Sequence, residues 1–277
     1  METIKNWKVT VWGVRGDIPV PDAACLLYGG NTSCISADCG DRVIVFDAGS
    51  GLKKLGDALA REGKRKVDIL LSHFHIDHCL GLFSFPLFSD AQAEIHLYGD
   101  IGCRKKIELL VGAPFWPLAL RDFKAQIQFH EIRPGDSFLL AGDSEESEKM
   151  TIRTMRGNHP GRSMLYRLEA GGKSIIHALD CELNGDILPT LTEFCLQGSL
   201  VIWDACFTEE ELALHKGEGH SCWEEGCALR REAQAAHMLM THYSPEYNDA
   251  ILKAQEHLLR TADPESCFAR EGMEILI

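Results

Sequence analysis

Long apolar runs are missing from this chain, and their absence argues against a protein with membrane-spanning helices. No stretch approaches the roughly 20 consecutive apolar residues that a membrane-spanning helix needs. Residues 1–17 also lack the layout of a signal peptide, because polar side chains interrupt them and a strand-like alternation begins at Lys8. We therefore expect a cytosolic (cytoplasmic) protein that has no membrane partner.

The cysteines lack the spacing of a metal knuckle or of an extracellular disulfide framework, although there are 11 of them. The nearest pairs are Cys34 with Cys39 and Cys222 with Cys227, and neither has the two-residue spacing of a zinc knuckle. In a cytosolic protein such cysteines are most simply reduced thiols, many of them small core residues. The sequence thus favours neither disulfides nor a cysteine-bound structural zinc.

Basic residues are scarce relative to acidic ones. The chain has 28 Lys and Arg against 41 Asp and Glu, which gives a formal net charge of −13. A protein that grips long nucleic acid neutralises many phosphates with basic side chains. The acidic balance argues against an extended nucleic-acid surface, but a nucleic-acid substrate remains open because metal ions can supply local positive charge.

The chain also has no long linker, internal repeat or low-complexity tract, so residues 1–277 are predicted to form a single domain. It has 277 residues, 45% of them hydrophobic, which is enough for a large core. The most polar segment, residues 142–149, is predicted to be an exposed turn between strands.

Apolar patterning predicts strands and helices in alternation. The predicted strands are residues 9–14, 43–47, 67–71, 94–98, 127–132, 151–155, 164–169, 174–178, 199–203 and 237–240, with a last edge strand at 273–277. The predicted helices are residues 52–62, 101–111, 245–260 and one that runs to about residue 234 from a capping box of Ser221 and Glu224. This order predicts an α/β protein with two packed sheets flanked by helices, in four α/β/β/α layers.

The densest chemical signal directly follows the apolar strand at residues 67–71. It is His73-Phe-His75-Ile-Asp77-His78, with three imidazoles and one carboxylate within six residues. These groups are common metal ligands, and a loop at a strand end can turn several of them toward one point. The segment therefore predicts a metal site.

This segment resembles the signature of the metallo-β-lactamase superfamily, and residues 72–82 resemble its phosphodiesterase and ribonuclease Z branch in particular. The resemblance implies the four-layer αββα fold with mixed sheets, and two divalent ions, zinc or manganese. His73 and His75 would hold the first ion, and Asp77 and His78 the second. The ions would activate a water for in-line attack on a phosphoryl group.

Four further positions match the family in order, and three of them follow predicted strands. The resemblance implies that His159 completes the first metal site, that His242 completes the second and that Asp180 bridges the two ions. Asp47, in an Asp-x-Gly-x-Gly turn, would orient the site from behind its ligands. Every metal ligand of the family's two-ion set therefore has a counterpart in this sequence.

A second pair narrows the expected reaction. Asp204 and His220 resemble the acid and histidine of the same branch, in which His220 would protonate the departing ribose oxygen and Asp204 would orient it. Ribonuclease Z usually has Glu at the acid position, so Asp204 is a departure. The alternative is that His220 only satisfies backbone groups before a helix. His215 could contact phosphate or base, or lie on the surface.

Two glycine-bearing runs also resemble this branch, residues 12–17 and 28–34. Arg15 and Asn31 in these runs could support the site or touch substrate. The alternative is that both runs are turns that join the first strands.

The leading functional hypothesis is a dinuclear-metal phosphodiesterase for a small nucleotide substrate, most of all a 3′,5′-cyclic nucleotide, with Asp77, Asp204 and His220 as the catalytic set. The second is tRNA 3′-end processing, which uses a protruding basic arm in ribonuclease Z. The corresponding region, residues 112–124, is short and apolar, and suits a pocket cover or a dimer contact. A lactonase, a thioesterase and a nucleotide sensor without turnover are further alternatives. A homodimer is a family-level expectation.

Overall fold

The computed structural model describes residues 7–40, 42–140 and 149–277. In these residues the strands are β1 (Lys8–Gly13), β2 (Cys34–Asp38), β3 (Val43–Phe46), β4 (Lys66–Leu70), β5 (Glu94–Gly99), β6 (Gln126–Glu131), β7 (Ser137–Leu140), β8 (Met150–Arg156), β9 (Met164–Ala170), β10 (Lys173–Ala178), β11 (Leu200–Asp204), β12 (His237–Thr241), β13 (Ser266–Phe268) and β14 (Glu274–Leu276). The α-helices are α1 (Leu52–Glu62), α2 (Cys103–Leu110), α3 (Leu188–Cys195), α4 (Glu209–Leu212), α5 (Trp223–Glu232) and α6 (Asp249–Ala262). The turn predicted at residues 142–149 lies, except for Lys149, outside the described residues.

The strands form two mixed sheets, each of seven strands within the described residues. The first has the order β14-β1-β2-β3-β4-β5-β6, with β3 to β6 parallel. The second has the order β13-β12-β11-β10-β9-β8-β7, with β10 to β13 parallel. Each half of the chain thus supplies one sheet, except that β14 returns to pair with β1.

Apolar side chains on both faces of the sheets create the layers. Helix α1 buries Leu52, Leu55 and Leu59 on one stripe, and these residues pack with Val67 and Ile69 of β4 in one hydrophobic cluster. The second cluster joins the inner faces of both sheets and continues to α3, α5 and α6. Helices therefore cover the outer face of each sheet, and the predicted four-layer α/β fold is confirmed. The single-domain organisation stays a prediction.

Two predicted helix starts are wrong. The capping box of Ser221 and Glu224 does not form, because the cap of α5 is Cys222 and the Ser221 hydroxyl donates to the carbonyl of Cys181 instead. Helix α6 begins at Asp249 rather than at residue 245, because the side chain of Asn248 accepts from the first N–H groups of the helix. A capping box does form at Thr208 and starts the short helix α4.

No helix in the described part of the chain is long and apolar enough to cross a membrane. The cytosolic location stays a prediction from the sequence.

Candidate metal centre

Most of the residues predicted to hold metal ions follow the carboxyl ends of strands from both sheets. The histidine-rich segment follows β4, Asp180 follows β10, and His242 follows β12. His159 lies in the connection between β8 and β9, which enters from the second sheet. Because the parallel strands of each sheet end on one edge, the loops of both sheets meet there, as ligand sites of open α/β sheets do.

Three imidazoles form the first cluster. The ligand atoms of His73, His75 and His159 all lie within 4.8 Å of one another. The Nδ1 atom of His159 is 3.2 Å from the carbonyl oxygen of Gly219, which fixes the tautomer that leaves the lone pair on Nε2. That Nε2 atom lies 3.2 Å from Nδ1 of His75, and His75 itself is exposed to solvent. The cluster therefore suits one ion that solvent or substrate can reach.

The second cluster is made by Asp77, His78 and His242, which also converge within 4.8 Å. The Nε2 atom of His78 is 3.0 Å from an Asp77 oxygen and 3.2 Å from Nε2 of His242. Asp180 Oδ2 lies 3.2 Å from His78 Nε2 and 3.4 Å from His242 Nε2. Asp180 also clusters with His73 of the first group, so its carboxylate stands between the two groups.

The donor set fits divalent ions electrostatically. Nε2 of His73 and Oδ2 of Asp180 are buried and have no hydrogen-bond partner, which is costly unless another group satisfies them. Burial and the neighbouring His78 hold the pKa of His73 well below its usual range, so its ring is a neutral donor. Burial opposes charge on His78 as well, yet Asp77, Asp180 and Asp47 raise the pKa of His78. The three carboxylates thus stabilise positive charge at this place, which a bound cation would supply.

Asp47 supports the centre from behind. Its carboxylate accepts from Nδ1 of His78 at 2.7 Å and from the amide and hydroxyl of Ser72 at 2.7 and 2.9 Å. The bond to His78 directs the other ring nitrogen toward the cluster, as a carboxylate–histidine–metal triad requires. Burial would keep Asp47 neutral, but His78, His177 and the Ser72 amide together outweigh burial and lower the pKa of Asp47. Asp47 therefore lies where the sequence predicts an orienting carboxylate.

Glycines leave room for the histidines. A Cβ atom at Gly161 would lie 2.6 Å from Cδ2 of His73 and 2.8 Å from Nε2 of His75, and one at Gly16 would lie 2.7 Å from Cε1 of His242. Gly219 faces His159 in the same way, at 2.2 Å from its Nδ1 atom. The backbone therefore approaches the clusters more closely than any side chain would permit.

Asp204 and His220 form the predicted pair beside the first cluster. Nδ1 of His220 is 2.8 Å from Oδ2 of Asp204, and both residues are buried. Burial lowers the pKa of His220, but the carboxylates of Asp204 and Asp180 together outweigh burial and raise the pKa above the usual histidine value. The potential ligand atoms of His220, His159 and Asp180 also lie within 4.8 Å of one another. The imidazole thus sits at the metal centre and can carry a proton.

The three remaining predicted positions lie in different surroundings: two support loops and one is on the surface. Arg15 is fully buried and donates to the backbone carbonyls of Gly29 and Tyr247, so it supports the loops and does not face substrate. The side chain of Asn31 is bonded to Glu271 and Ser50, so it also supports the turn. His215 lies on the surface near His220 and is separated from it by Phe207.

Three supporting residues were not predicted from the sequence. Ser72 links Asp47 to the histidine segment, and its position directly before His73 was an available signal. His177, inside β10, lies 3.5 Å from Oδ2 of Asp47, and burial lowers its pKa to about 4. Glu182 accepts from the amides of Gly217 and Gly219 and so holds the loop that precedes His220. The last two have no sequence signal, because only the fold brings them to the site.

Residues 42–243 match the model of the beta-lactamase superfamily domain. The chain belongs to this family. Its curated relatives include the ribonuclease Z of Methanosarcina acetivorans, 24% identical over 293 residues that cover 88% of this chain and 90% of the relative. The ribonuclease Z of Haloferax volcanii is 25% identical over 315 residues, which cover 98% of this chain and 95% of the relative. The family, its ribonuclease Z-like branch and the ligand clusters make this protein a metal-dependent hydrolase.

Solved structures support the same fold. The metallo-beta-lactamase fold protein YhfI from Bacillus subtilis is 20% identical with a TM-score of 0.74, covering 99% of this chain and 100% of that one. The short form of human tRNase Z is 21% identical with a TM-score of 0.69, covering 97% and 98%. A diphosphatase from the PhnP family is 16% identical with a TM-score of 0.67, covering 97% of each chain.

Proposed function

We propose that this protein hydrolyses phosphodiester bonds at a dinuclear metal centre, with His220 as the general acid. The observation that carries the proposal is the 2.8 Å contact between Asp204 and His220 beside the metal ligands. A departing ribose oxygen is strongly basic and needs a proton, whereas the thiolate that leaves a thioester does not.

Each group of the chain has a defined part in this proposal. His73, His75 and His159 would hold one divalent ion, Asp77, His78 and His242 would hold the other, and Asp180 would bridge them. When bound, zinc or manganese would lower the pKa of a coordinated water and polarise the phosphoryl oxygens. Imidazole and carboxylate ligands suit both metals, so the ligand set does not choose between them.

His220 would deliver its proton from Nε2, because Asp204 occupies Nδ1. The raised pKa of His220 favours the protonated form that a general acid needs. Asp204 is itself held by the amides of Cys206 and Asp180, at 2.9 and 3.1 Å, so the orientation of the acid is fixed before substrate binds. Asp77 would act in catalysis as a metal ligand.

Similarity to ribonucleases Z favours RNA 3′-end cleavage over cyclic-nucleotide hydrolysis, the reaction that the sequence alone favours. The curated relatives given above are ribonucleases Z, which this chain matches over nearly its full length. We therefore rank a tRNA precursor first. Nothing in the comparisons supports specificity for a cyclic nucleotide.

A small nucleotide diester is the second candidate, and a specific observation favours it. The alignment to the Haloferax relative spans 315 residues, whereas this chain has 277, so at least 38 aligned positions have no residue here. Residues 112–124 are also short, and Phe115 and Leu118 are exposed there. A chain of net charge −13 without a basic arm would bind a long polyanion weakly.

The test is hydrolysis by protein loaded with zinc or manganese, using precursor tRNA, 3′,5′-cyclic nucleotides and bis(4-nitrophenyl) phosphate, with a lactone and a thioester for comparison. We expect His220→Ala to lower kcat on diesters by about 10²- to 10⁴-fold at unchanged metal content. The control is His237→Ala, an exposed histidine at the opposite end of β12. Inactivity toward every diester with both metal positions full would refute the proposal, and an inert His220→Ala change would favour a thioesterase.

The oligomeric state of the protein can be tested in the same way. A homodimer stays a proposal, with the exposed apolar residues of the 112–124 segment as its candidate contact. Light scattering of the native chain and of Phe115→Ser would decide it.

A further inference from the structure

Two aromatic side chains extend outward from the general acid. The ring of Phe207 meets His220 edge-on, with centroids 5.8 Å apart and an interplanar angle of 82°. The ring of His215 stacks on Phe207 at 4.2 Å and 14°. These distances place the His215 ring within about 10 Å of the His220 ring. Phe207 and His215 are here called the aromatic platform.

The aromatic platform is fixed before any ligand binds. The amide of Phe207 donates to the carbonyl of Ser221, and Phe207 forms a bridge with Cys222. A capping box of Thr208 and Glu211 starts the helix that leads to His215. Nδ1 of His215 is 3.0 Å from the carboxylate of Glu218, which sets the plane of the ring. Ordered rings bind a planar ligand with little loss of entropy.

The His215 ring is only partly covered. Phe207 covers the inner face, yet 38% of the His215 side chain is exposed. An outward-facing ring held in a fixed plane is the arrangement on which proteins stack nucleobases.

The charges near His215 indicate whether its ring would bind a phosphate or a base. Glu209, Glu210 and Glu218 are exposed on the same connection, and Lys216 is the exposed cation among them. A phosphate beside His215 would be repelled by these carboxylates, whereas a neutral base would not. The acidic surroundings therefore favour a base.

We propose that the aromatic platform is a nucleobase subsite, which binds by stacking the base of the nucleotide whose ribose oxygen departs at His220. The inference rests on the proposed function, since it takes the position of the departing oxygen from His220. Both candidate substrates carry a base on that ribose, so the subsite serves either of them.

The test measures binding of two unreactive ligands to metal-loaded protein by calorimetry. Adenosine 3′-monophosphate carries the base, and ribose 3-phosphate lacks it. Base–aromatic stacks respond to alanine substitution strongly enough that His215→Ala should weaken binding of the adenosine ligand by roughly tenfold. Ribose 3-phosphate should bind the variant as it binds the native protein. His215→Phe should keep most of the affinity, because it retains a stacking ring, and His237→Ala serves as the surface-histidine control.

Turnover of the best diester from the panel supplies a second readout. His215→Ala should raise KM and leave kcat nearly unchanged, since the ring lies outside the reacting atoms. Equal losses with both ligands, equal losses in His215→Ala and His215→Phe, or no loss at all would overturn the subsite. Base-dependent binding without any turnover would refute the phosphodiesterase and leave the subsite standing. Turnover that depends on His220 but not on the base would support the phosphodiesterase and refute the subsite.

Discussion

Three residues at the metal centre adopt a backbone conformation that side chains usually avoid. Asp47, Asp180 and His242 have φ angles of +59°, +54° and +63°. Left-handed backbone is costly for residues other than glycine, and such strain collects at functional sites. Asp47 and His242 directly follow a strand and Asp180 follows one after a single residue, so the sharp turn aims each side chain across the strand ends. The strain is therefore part of how the two sheets present one ligand set.

Replacing Asp47 by Asn should weaken metal binding without unfolding the protein. Asn tolerates the left-handed backbone, but its amide cannot accept all three bonds from Ser72 and His78. Loss of such a supporting carboxylate lowers metal affinity by about 10- to 100-fold. Competition with a chelator of known affinity measures the change. Native metal affinity in the variant would contradict the orienting role.

A methyl group at Gly161 should displace the first cluster. The new Cβ atom would stand 2.6 Å from His73 and 2.8 Å from His75, so one ligand must move. We expect Gly161→Ala to lose metal from the first site, which metal analysis after gel filtration would detect. Gly185→Ala is the matched control, because a Cβ atom at Gly185 meets nothing within 4 Å. Full occupancy in Gly161→Ala would mean that the loop shifts freely.

At the scale of elements, the helices and strands that have a regular apolar pattern were predictable from the sequence. Helix α1 is predicted to the residue, because its apolar stripe is regular and Gly63 ends it with a left-handed φ of +70°. Strands β2, β7 and β13 and helices α3 and α4 were not predicted. Strand β2 is buried on both faces and follows a glycine-bearing run, so it lacks the alternation of an exposed strand.

The candidate site was more predictable than the elements around it. His73 to His78, His159, Asp180 and His242 are unusual residues at strand ends, and the structure brings all of them together. His177 and Glu182 support the site through contacts that only the packed sheets create. The pattern of a strand gives no sign of such contacts, because it records which face a residue occupies and not what lies opposite.

The first turn of α5 should make stability depend on pH. Burial raises the pKa of Glu225 from 4.5 to about 7, and nearby Asp204 and Glu182 add to the shift. As pH rises from about 4.5 to 7 the unfolded chain ionises first, so this carboxyl lowers the free energy of unfolding progressively. Glu225→Gln should therefore raise Tm relative to the native protein at pH 8 and hardly at pH 5. Thermal melts at both values check the sign, and an equal effect at both would exclude titration as the cause.

At the scale of the whole molecule, metal binding and folding should be coupled, because the ligands come from loops of both sheets. Free metal at 100 times its Kd stabilises a fold by about 2.7 kcal/mol. For a chain of this size we expect chelation to lower Tm by roughly 5–10 °C. Calorimetry with and without chelator measures the shift. Asp180→Asn should shrink it, and a full shift in that variant would remove Asp180 from the ligand set.

The division of the chain between two sheets implies that the protein can be made from two polypeptides. A break between residues 140 and 149 would leave the histidine segment on one fragment and His159, Asp180 and His242 on the other. Strand β14 of the second fragment would pair with β1, and β7 of the first fragment would pair with β8, so each fragment guides the other into register. Neither fragment alone holds a complete ligand set, so their reassembly should respond to zinc or manganese. Co-expressed halves that copurify with metal and separate in chelator would form a split metalloprotein whose assembly reports the ion.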